Sequence, residues 1–189
     1  MKHLIIYAHP DAASLNAQFK DMIEAHLNLN QHEVIVRDLY ALNFNPVLTR
    51  ADMEGQRRGA VGQDIVQEQQ LIRWADRIIF IHPIWWTGLP AIIKGYIDRV
   101  FSYGFAYRYD QGVQIGLLKG KEAVVINTHG KSKAQYQAMG MDKALSLTSD
   151  TGIYTYCGFT LKQHFFFDQA DRTDAKQVAV WKRQILELF

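Results

Sequence analysis

Three short segments concentrate residue types that can bind an anion and a flat ring. The first is His9-Pro10-Asp11-Ala12-Ala13-Ser14-Leu15-Asn16, between an apolar run and a helical pattern. A helix N-terminus offers unpaired N–H groups and a positive dipole end, which together favour a phosphate. Ser14 and Asn16 add neutral donors, and His9 can add a charge-assisted one. Ser14 equally suits a plain helix cap, since serine is favoured there. The second segment is His82-Pro83-Ile84-Trp85-Trp86-Thr87-Gly88-Leu89-Pro90. Trp85 and Trp86 offer flat faces to an aromatic ligand, and Gly88 lets backbone approach it closely. The same indoles would also serve as core residues. The third is Asn127-Thr128-His129-Gly130-Lys131-Ser132, which supplies polar side chains and backbone donors.

These segments matter only if the fold brings them together. Leu4–Ala8 is a short apolar run that reads as a buried strand. Leu15, Phe19, Met22, Ile23, His26 and Leu27 recur at three- and four-residue spacing, which predicts a helix. Glu33–Asp38 reads as a second strand. Residues 41–62, with Pro46 and three glycines, read as a long loop. Asp64–Trp74 is expected to be helical, although Glu68 and Gln69 interrupt its apolar stripe. Arg77–His82 is a third strand, apolar enough to be covered on both faces. Pro90–Tyr103 reads as a helix and Tyr103–Gly120 as a loop or hairpin. Glu122–Asn127 is a fourth strand. Asp142–Cys157 is expected to be a helix stopped by a left-handed Gly158. Thr160–Phe167 is a fifth strand, and Asp171–Leu188 a closing helix.

Strands alternating with helices predict a parallel sheet covered on both faces. Five such strands predict a doubly wound α/β sheet in the order 2-1-3-4-5. Its ligand crevice would lie at the carboxyl ends of the strands, where the connections from strands 1 and 3 diverge. All three segments follow strands that end there. With 189 residues and 48% hydrophobic content, one domain over residues 1–189 is expected.

Composition narrows the partners. The net charge is +2 from mixed residues, with no basic block of the kind that binds nucleic acid. One cysteine, Cys157, allows no internal disulfide and is expected to be a small packed residue. No segment approaches the ~18 apolar residues of a membrane span, and the N-terminus does not read as a signal peptide. A cytoplasmic protein is expected. No G-x-x-x-x-G-K-[ST] or G-x-G-x-x-G motif occurs, which argues against P-loop and Rossmann nucleotide sites. His82-Pro83 stands where a response-regulator receiver needs an acidic phospho-acceptor. No Cys/His cluster has zinc spacing, so no metal is expected.

Four stretches carry a family resemblance. They are Tyr7-Ala8-His9-Pro10 through Asn16, Asp38-Leu39-Tyr40-Ala41-Leu42-Asn43-Phe44-Asn45-Pro46, Pro83 through Arg99, and Val100-Phe101-Ser102-Tyr103-Gly104-Phe105-Ala106-Tyr107. Through them the chain, from His3 to about Phe167, resembles the NAD(P)H:quinone oxidoreductase family of the flavodoxin-like superfamily. That family includes mammalian quinone reductases and short bacterial members, among them the ancillary flavoprotein of a potassium efflux system. The resemblance implies a flavodoxin-like fold that holds FMN or FAD. It implies two-electron hydride transfer from NAD(P)H, as co-substrate, through the flavin to a quinone-like acceptor in ping-pong turnover.

By the same resemblance, His9, Ser14, Leu15 and Asn16 match the residues that hold the flavin ribityl-phosphate. Pro83, Ile84, Trp85, Trp86 and Thr87 match the loop along the ring edge. Asn127, Thr128, His129 and Gly130 match a loop near the pyrimidine end. Tyr136 matches a tyrosine that helps stabilise the reduced ring, and is the expected catalytic residue. The family's catalytic histidine falls at Asp142. Tyr107 and Tyr109 match aromatics that reach a partner subunit's active site, so a homodimer with sites at its interface is expected. The chain's end at Phe189 leads us to expect FMN in preference to FAD. Two other readings stay open: a regulatory subunit peripherally associated with a membrane transporter, and a non-enzymatic flavin electron carrier. The second fits less well with a slightly basic chain, because carriers of this type are usually strongly acidic.

Overall fold

The computed structural model describes residues 1–189. Five parallel strands form the main sheet: β1 (Lys2–Tyr7), β2 (Glu33–Asp38), β3 (Arg77–Pro83), β6 (Glu122–Thr128) and β7 (Thr160–Phe167). A two-stranded antiparallel hairpin, β4 (Tyr107–Asp110) and β5 (Val113–Gly116), lies between β3 and β6 in the chain. The main sheet runs β2-β1-β3-β6-β7. Without the hairpin this is the expected order 2-1-3-4-5.

Period-two side-chain alternation explains why the central strands are apolar almost throughout. Leu4, Ile6, Ile78, Phe80 and Val125 pack into one core, with Ile65, Ile72, Ile93 and Tyr96. These last come from α3 (Gln63–Trp74) and α4 (Ala91–Val100). Ile5, Tyr7, Ile79, Ile81, Val124 and Ile126 point the other way. They meet Phe19, Ile23 and Leu27 of α1 (Leu15–Leu29) and Trp181 and Ile185 of α7 (Ala175–Leu186). The interrupted stripe of α3 also has its reason. Glu68 and Gln69 are buried but paired: Glu68 accepts from Arg37 Nε at 3.1 Å and from the Tyr96 hydroxyl at 3.2 Å. Gln69 Nε2 donates to the Val100 carbonyl and to Ser102 Oγ, both at 3.0 Å.

The structure corrects several boundaries. The expected loop over 41–62 contains α2 (Arg50–Arg57). This helix has almost no apolar stripe; a capping box between Thr49 and Asp52 starts it, and Arg99 of α4 bonds Asp52 from outside. Gly95 on α4 is needed here, since a Cβ would lie 2.0 Å from the Pro46 carbonyl oxygen. The helix expected over Pro90–Tyr103 is the shorter α4. The closing helix starts at Ala175 rather than Asp171, capped by Asp174.

The expected Asp142–Cys157 helix is α6 (Met141–Ser146) continued by a π-helical segment, Leu147–Thr155. A short helix ahead of it, α5 (Lys133–Met139), was not anticipated. Gly158 does adopt the left-handed conformation, with φ +96°. No helix is long and apolar enough to cross a membrane.

Candidate active site

The carboxyl ends of β1, β3 and β6 open onto one crevice of ≈ 220 Å³. Its walls include His9, Ser14, Leu15 and Asn16 from the first expected segment. Pro83, Ile84 and Trp85 come from the second, and Thr128, His129 and Gly130 from the third. The three expected segments therefore meet at the predicted edge of the sheet, with Gly130 and His9, 121 positions apart, lining the same space.

Ser14 is the N-cap of α1, and its hydroxyl oxygen accepts the Ala17 N–H at 3.1 Å. Capping leaves its proton available to a ligand, so the two readings of Ser14 are compatible. His9 Nδ1 lies 3.0 Å from the Asp11 nitrogen and 3.2 Å from its carbonyl oxygen, so the Asp11 backbone holds the ring by Nδ1 and leaves Nε2 for a ligand. Asn16 is 2% exposed, and its Nδ2 donates to Thr128 Oγ1 at 2.8 Å. Asn16 Oδ1 and His129 Nδ1 are buried polar atoms without a partner. Such atoms are uncommon and call for a physical explanation. Two of them on one crevice, beside the first turn of a helix, fit a ligand with an anionic end and several hydroxyl groups.

The tryptophans diverge. Trp85 meets the His9 ring edge-on at 5.8 Å, on the crevice wall. Trp86 is fully exposed and, with Thr87, lies outside the lining. The cause is a tight two-residue turn. Trp85 and Gly88 exchange N–H···O=C bonds of 3.1 and 3.0 Å, with Trp86 at φ +50° and Thr87 at φ +55°. Both residues sit in the left-handed region, which is unusual for a β-branched threonine. The Gly88 N–H is taken by this turn, whereas the N–H groups of Trp86 and Thr87 have no backbone partner.

Asn127 also departs from the expectation that it faces the ligand. Its side chain is buried behind the crevice, with Nδ2 donating to the His82 carbonyl at 2.9 Å. Tyr136, on α5, lines an adjoining pocket of ≈ 380 Å³ together with Asp142 and His164. It reaches the crevice through His129, against which its ring stacks face to face at 4.4 Å. Burial raises the pKa of the Tyr136 hydroxyl. Burial lowers that of His129, against the attraction of Asp168 and a backbone hydrogen bond at Lys131. Both shifts favour the neutral forms. Cys157 is packed as expected, and burial pushes its thiol up to about 12.

Sequence reasoning missed Ala170 and Asp171, which close the crevice on the β7 side. The Ala170 N–H donates to the His129 carbonyl at 3.0 Å, and Arg172 bonds the Gly130 carbonyl. The rule that loops after parallel strands form the site could have nominated them, since they follow β7.

Comparison with known proteins places this geometry. A family model described as flavodoxin-like fold matches residues 1–188. A Haemophilus influenzae protein named as an NAD(P)H oxidoreductase is 39% identical over 177 residues, covering 93% of this chain and 88% of its own. The human ribosyldihydronicotinamide dehydrogenase (quinone) is 30% identical over 212 aligned positions, covering 100% of this chain and 92% of its own. The solved structure of Smu.1420 from Streptococcus mutans matches with a TM-score of 0.87 and 32% identity, covering 100% of this chain and 98% of that one. The chain belongs to the NAD(P)H:quinone oxidoreductase family of oxidoreductase enzymes, with the flavodoxin-like fold.

Proposed function

We propose that this protein is a flavin-dependent NAD(P)H:quinone oxidoreductase whose cofactor, FMN or FAD, sits in the crevice at the ends of β1, β3 and β6. The single observation that carries this reading is the convergence there of a capped helix N-terminus, two unpartnered buried polar atoms and an indole. The names of relatives, an NAD(P)H oxidoreductase and a quinone dehydrogenase, support the two substrates. A bound flavin would supply the redox chemistry, taking hydride from NAD(P)H and giving it to a quinone in ping-pong order.

The chain's own residues have separable tasks. The N–H groups of Leu15 and Asn16 at the start of α1, the Ser14 hydroxyl and His9 Nε2 would hold the anionic end. Trp85 would border the ring, and the backbone N–H groups of Trp86 and Thr87, just outside the crevice wall and without a backbone partner, would be left for its edge. Thr128 to Gly130, with the Tyr136 hydroxyl, favour negative charge that develops on reduction. The aromatic hairpin with its exposed Tyr109, beside the exposed Tyr103 that precedes it, is the surface for a second copy of the chain.

The test is direct. The purified protein should be yellow, release FMN or FAD identifiable by mass, and oxidise NADPH in the presence of menadione. A colourless protein with no affinity for added FMN refutes the proposal. Flavin without NADPH oxidation leaves an electron carrier.

A further inference from the structure

A buried polar network under the crevice has hydrogen-bond directions that constrain where its protons sit. Asn127 Nδ2 faces the His82 carbonyl at 2.9 Å, and a carbonyl only accepts. The other end of the amide, Oδ1, therefore faces His164 Nε2, at 2.7 Å. An amide oxygen also only accepts, so Nε2 carries a hydrogen. The second ring nitrogen, Nδ1, stands 2.6 Å from Asp150 Oδ1. With an ionised carboxylate, this nitrogen carries a hydrogen as well. The His164 side chain is 6% exposed and Asp150 17%, so water does not substitute freely for either bond.

The network spans three elements. Asn127 is the penultimate residue of β6, His164 lies in β7, and Asp150 belongs to the π-helical segment. Single π turns inside helices recur at functional sites. Here the widened helix is steadied by Thr148 Oγ1 and Ser149 Oγ, which donate to the Ala144 and Leu145 carbonyls at 3.0 and 2.8 Å. Phe166 stacks on the His164 ring with centroids 3.8 Å apart. His82 packs against the same asparagine from β3, and burial holds its pKa down to about 4, so it adds no competing charge. Across the 380 Å³ pocket, His164 faces His129, Lys133, Asp142 and Lys143. Thr128, next to Asn127, holds Asn16 in the crevice.

We propose that His164 is a positioning residue: a doubly protonated ring clamped between Asn127 and Asp150 that ties the π-helical segment to β6 and β7. It thereby fixes the Thr128–Gly130 edge of the crevice. The inference deepens the flavin reading, but only its ligand arm rests on that reading.

The test is nitrogen NMR of the ¹⁵N-histidine-labelled full chain at neutral pH, with His164 assigned by the signal lost in His164→Gln. Two N–H signals are expected from the His164 ring. An unprotonated Nδ1 or Nε2 overturns the proposal. Asp150→Asn removes the charge but keeps a polar partner: one ring N–H should disappear while amide exchange at Thr128–Gly130 stays slow. Asp150→Ala removes the partner, and exchange there should quicken about tenfold, as for one hydrogen bond of ordinary net worth. FMN affinity should fall by a similar factor. Unchanged exchange in Asp150→Ala overturns the positioning role. Asp150→Ser serves the same arm in a protein that folds if Asp150→Ala does not. Absence of FMN binding in the parent protein counts against the flavin reading alone, since the NMR and exchange arms need no ligand.

Discussion

Thr128→Val tests whether the crevice is held by a specific buried hydrogen bond. The substitution keeps side-chain shape and removes Oγ1, which accepts from Asn16 Nδ2 at 2.8 Å. Asn16 is 2% and Thr128 5% exposed, so water has little access to replace the lost partner. Asn16 Oδ1 already lacks a partner, and after the substitution both ends of the amide are orphaned. Leaving a buried donor unsatisfied costs about 1–3 kcal/mol. For a chain of this length, each kcal/mol moves the melting temperature by about 2–4 °C. The expected loss is therefore roughly 2–12 °C in a thermal scan.

Asn16→Leu combined with Thr128→Val removes both partners and should recover much of the loss, because deleting a pair costs less than orphaning one member. The double-mutant cycle should then show a coupling of about 1 kcal/mol or more. FMN added at a hundred times its Kd should raise the stability of the parent protein by about 2.7 kcal/mol. A Thr128→Val protein that melts with the parent refutes the reasoning. So does a double variant no more stable than the two single effects predict.

Gly95→Ala should destabilise the chain by about 3 kcal/mol, the upper end for overpacking, read by urea unfolding, because the new methyl meets Pro46 backbone rather than a movable side chain. His82 binds a proton less readily in the fold than when unfolded, its pKa lowered from 6.5 to about 4 by burial. The unfolded chain thus takes up more protons as pH falls. The stability this residue contributes is full above about pH 6.5 and is lost toward pH 4, by roughly 3 kcal/mol. His82→Gln should flatten that acid limb in urea midpoints measured from pH 7 to 4.5; an unchanged limb would assign it to other groups. Tyr136→Phe should slow flavin reduction by NADPH about 10²–10³-fold in stopped flow if its hydroxyl stabilises developing charge, and full-speed reduction excludes that role. Sedimentation at micromolar concentration should show a dimer, and Tyr109→Asp on the exposed hairpin should shift it toward monomer.

The parts legible in sequence are those governed by local periodicity and by chain direction. Apolar runs such as Arg77–His82 mark strands buried on both faces, and the alternation of strands and helices then leaves few topologies. Once the strand order is given, the edge where His9, Trp85 and Thr128 gather follows from strand polarity. Helix α2 was not legible. Its sequence, RADMEGQR, offers only Ala51 and Met53 as apolar side chains, and its anchor is Arg99, 47 residues beyond Asp52. The α-to-π change after Ser146 was equally hidden, because Asp150 acquires its reason only from His164 across the sheet edge.

The sequence by itself determined three of the segments that reach the crevice; the tertiary structure alone added the one after β7, with Ala170 and Asp171, and decided which atoms face the ligand space. Asn127 and Thr128 are adjacent, yet the pleat sends one side chain to the His82 carbonyl and the other to Asn16. Trp85 and Trp86 are identical in type, yet a left-handed turn places one on the wall and the other in solvent. The physical reason is the same in both cases. Residue type and spacing set hydrophobic and turn preferences over a few positions, whereas the direction of a polar atom depends on the partner that packing brings to it from distant parts of the chain.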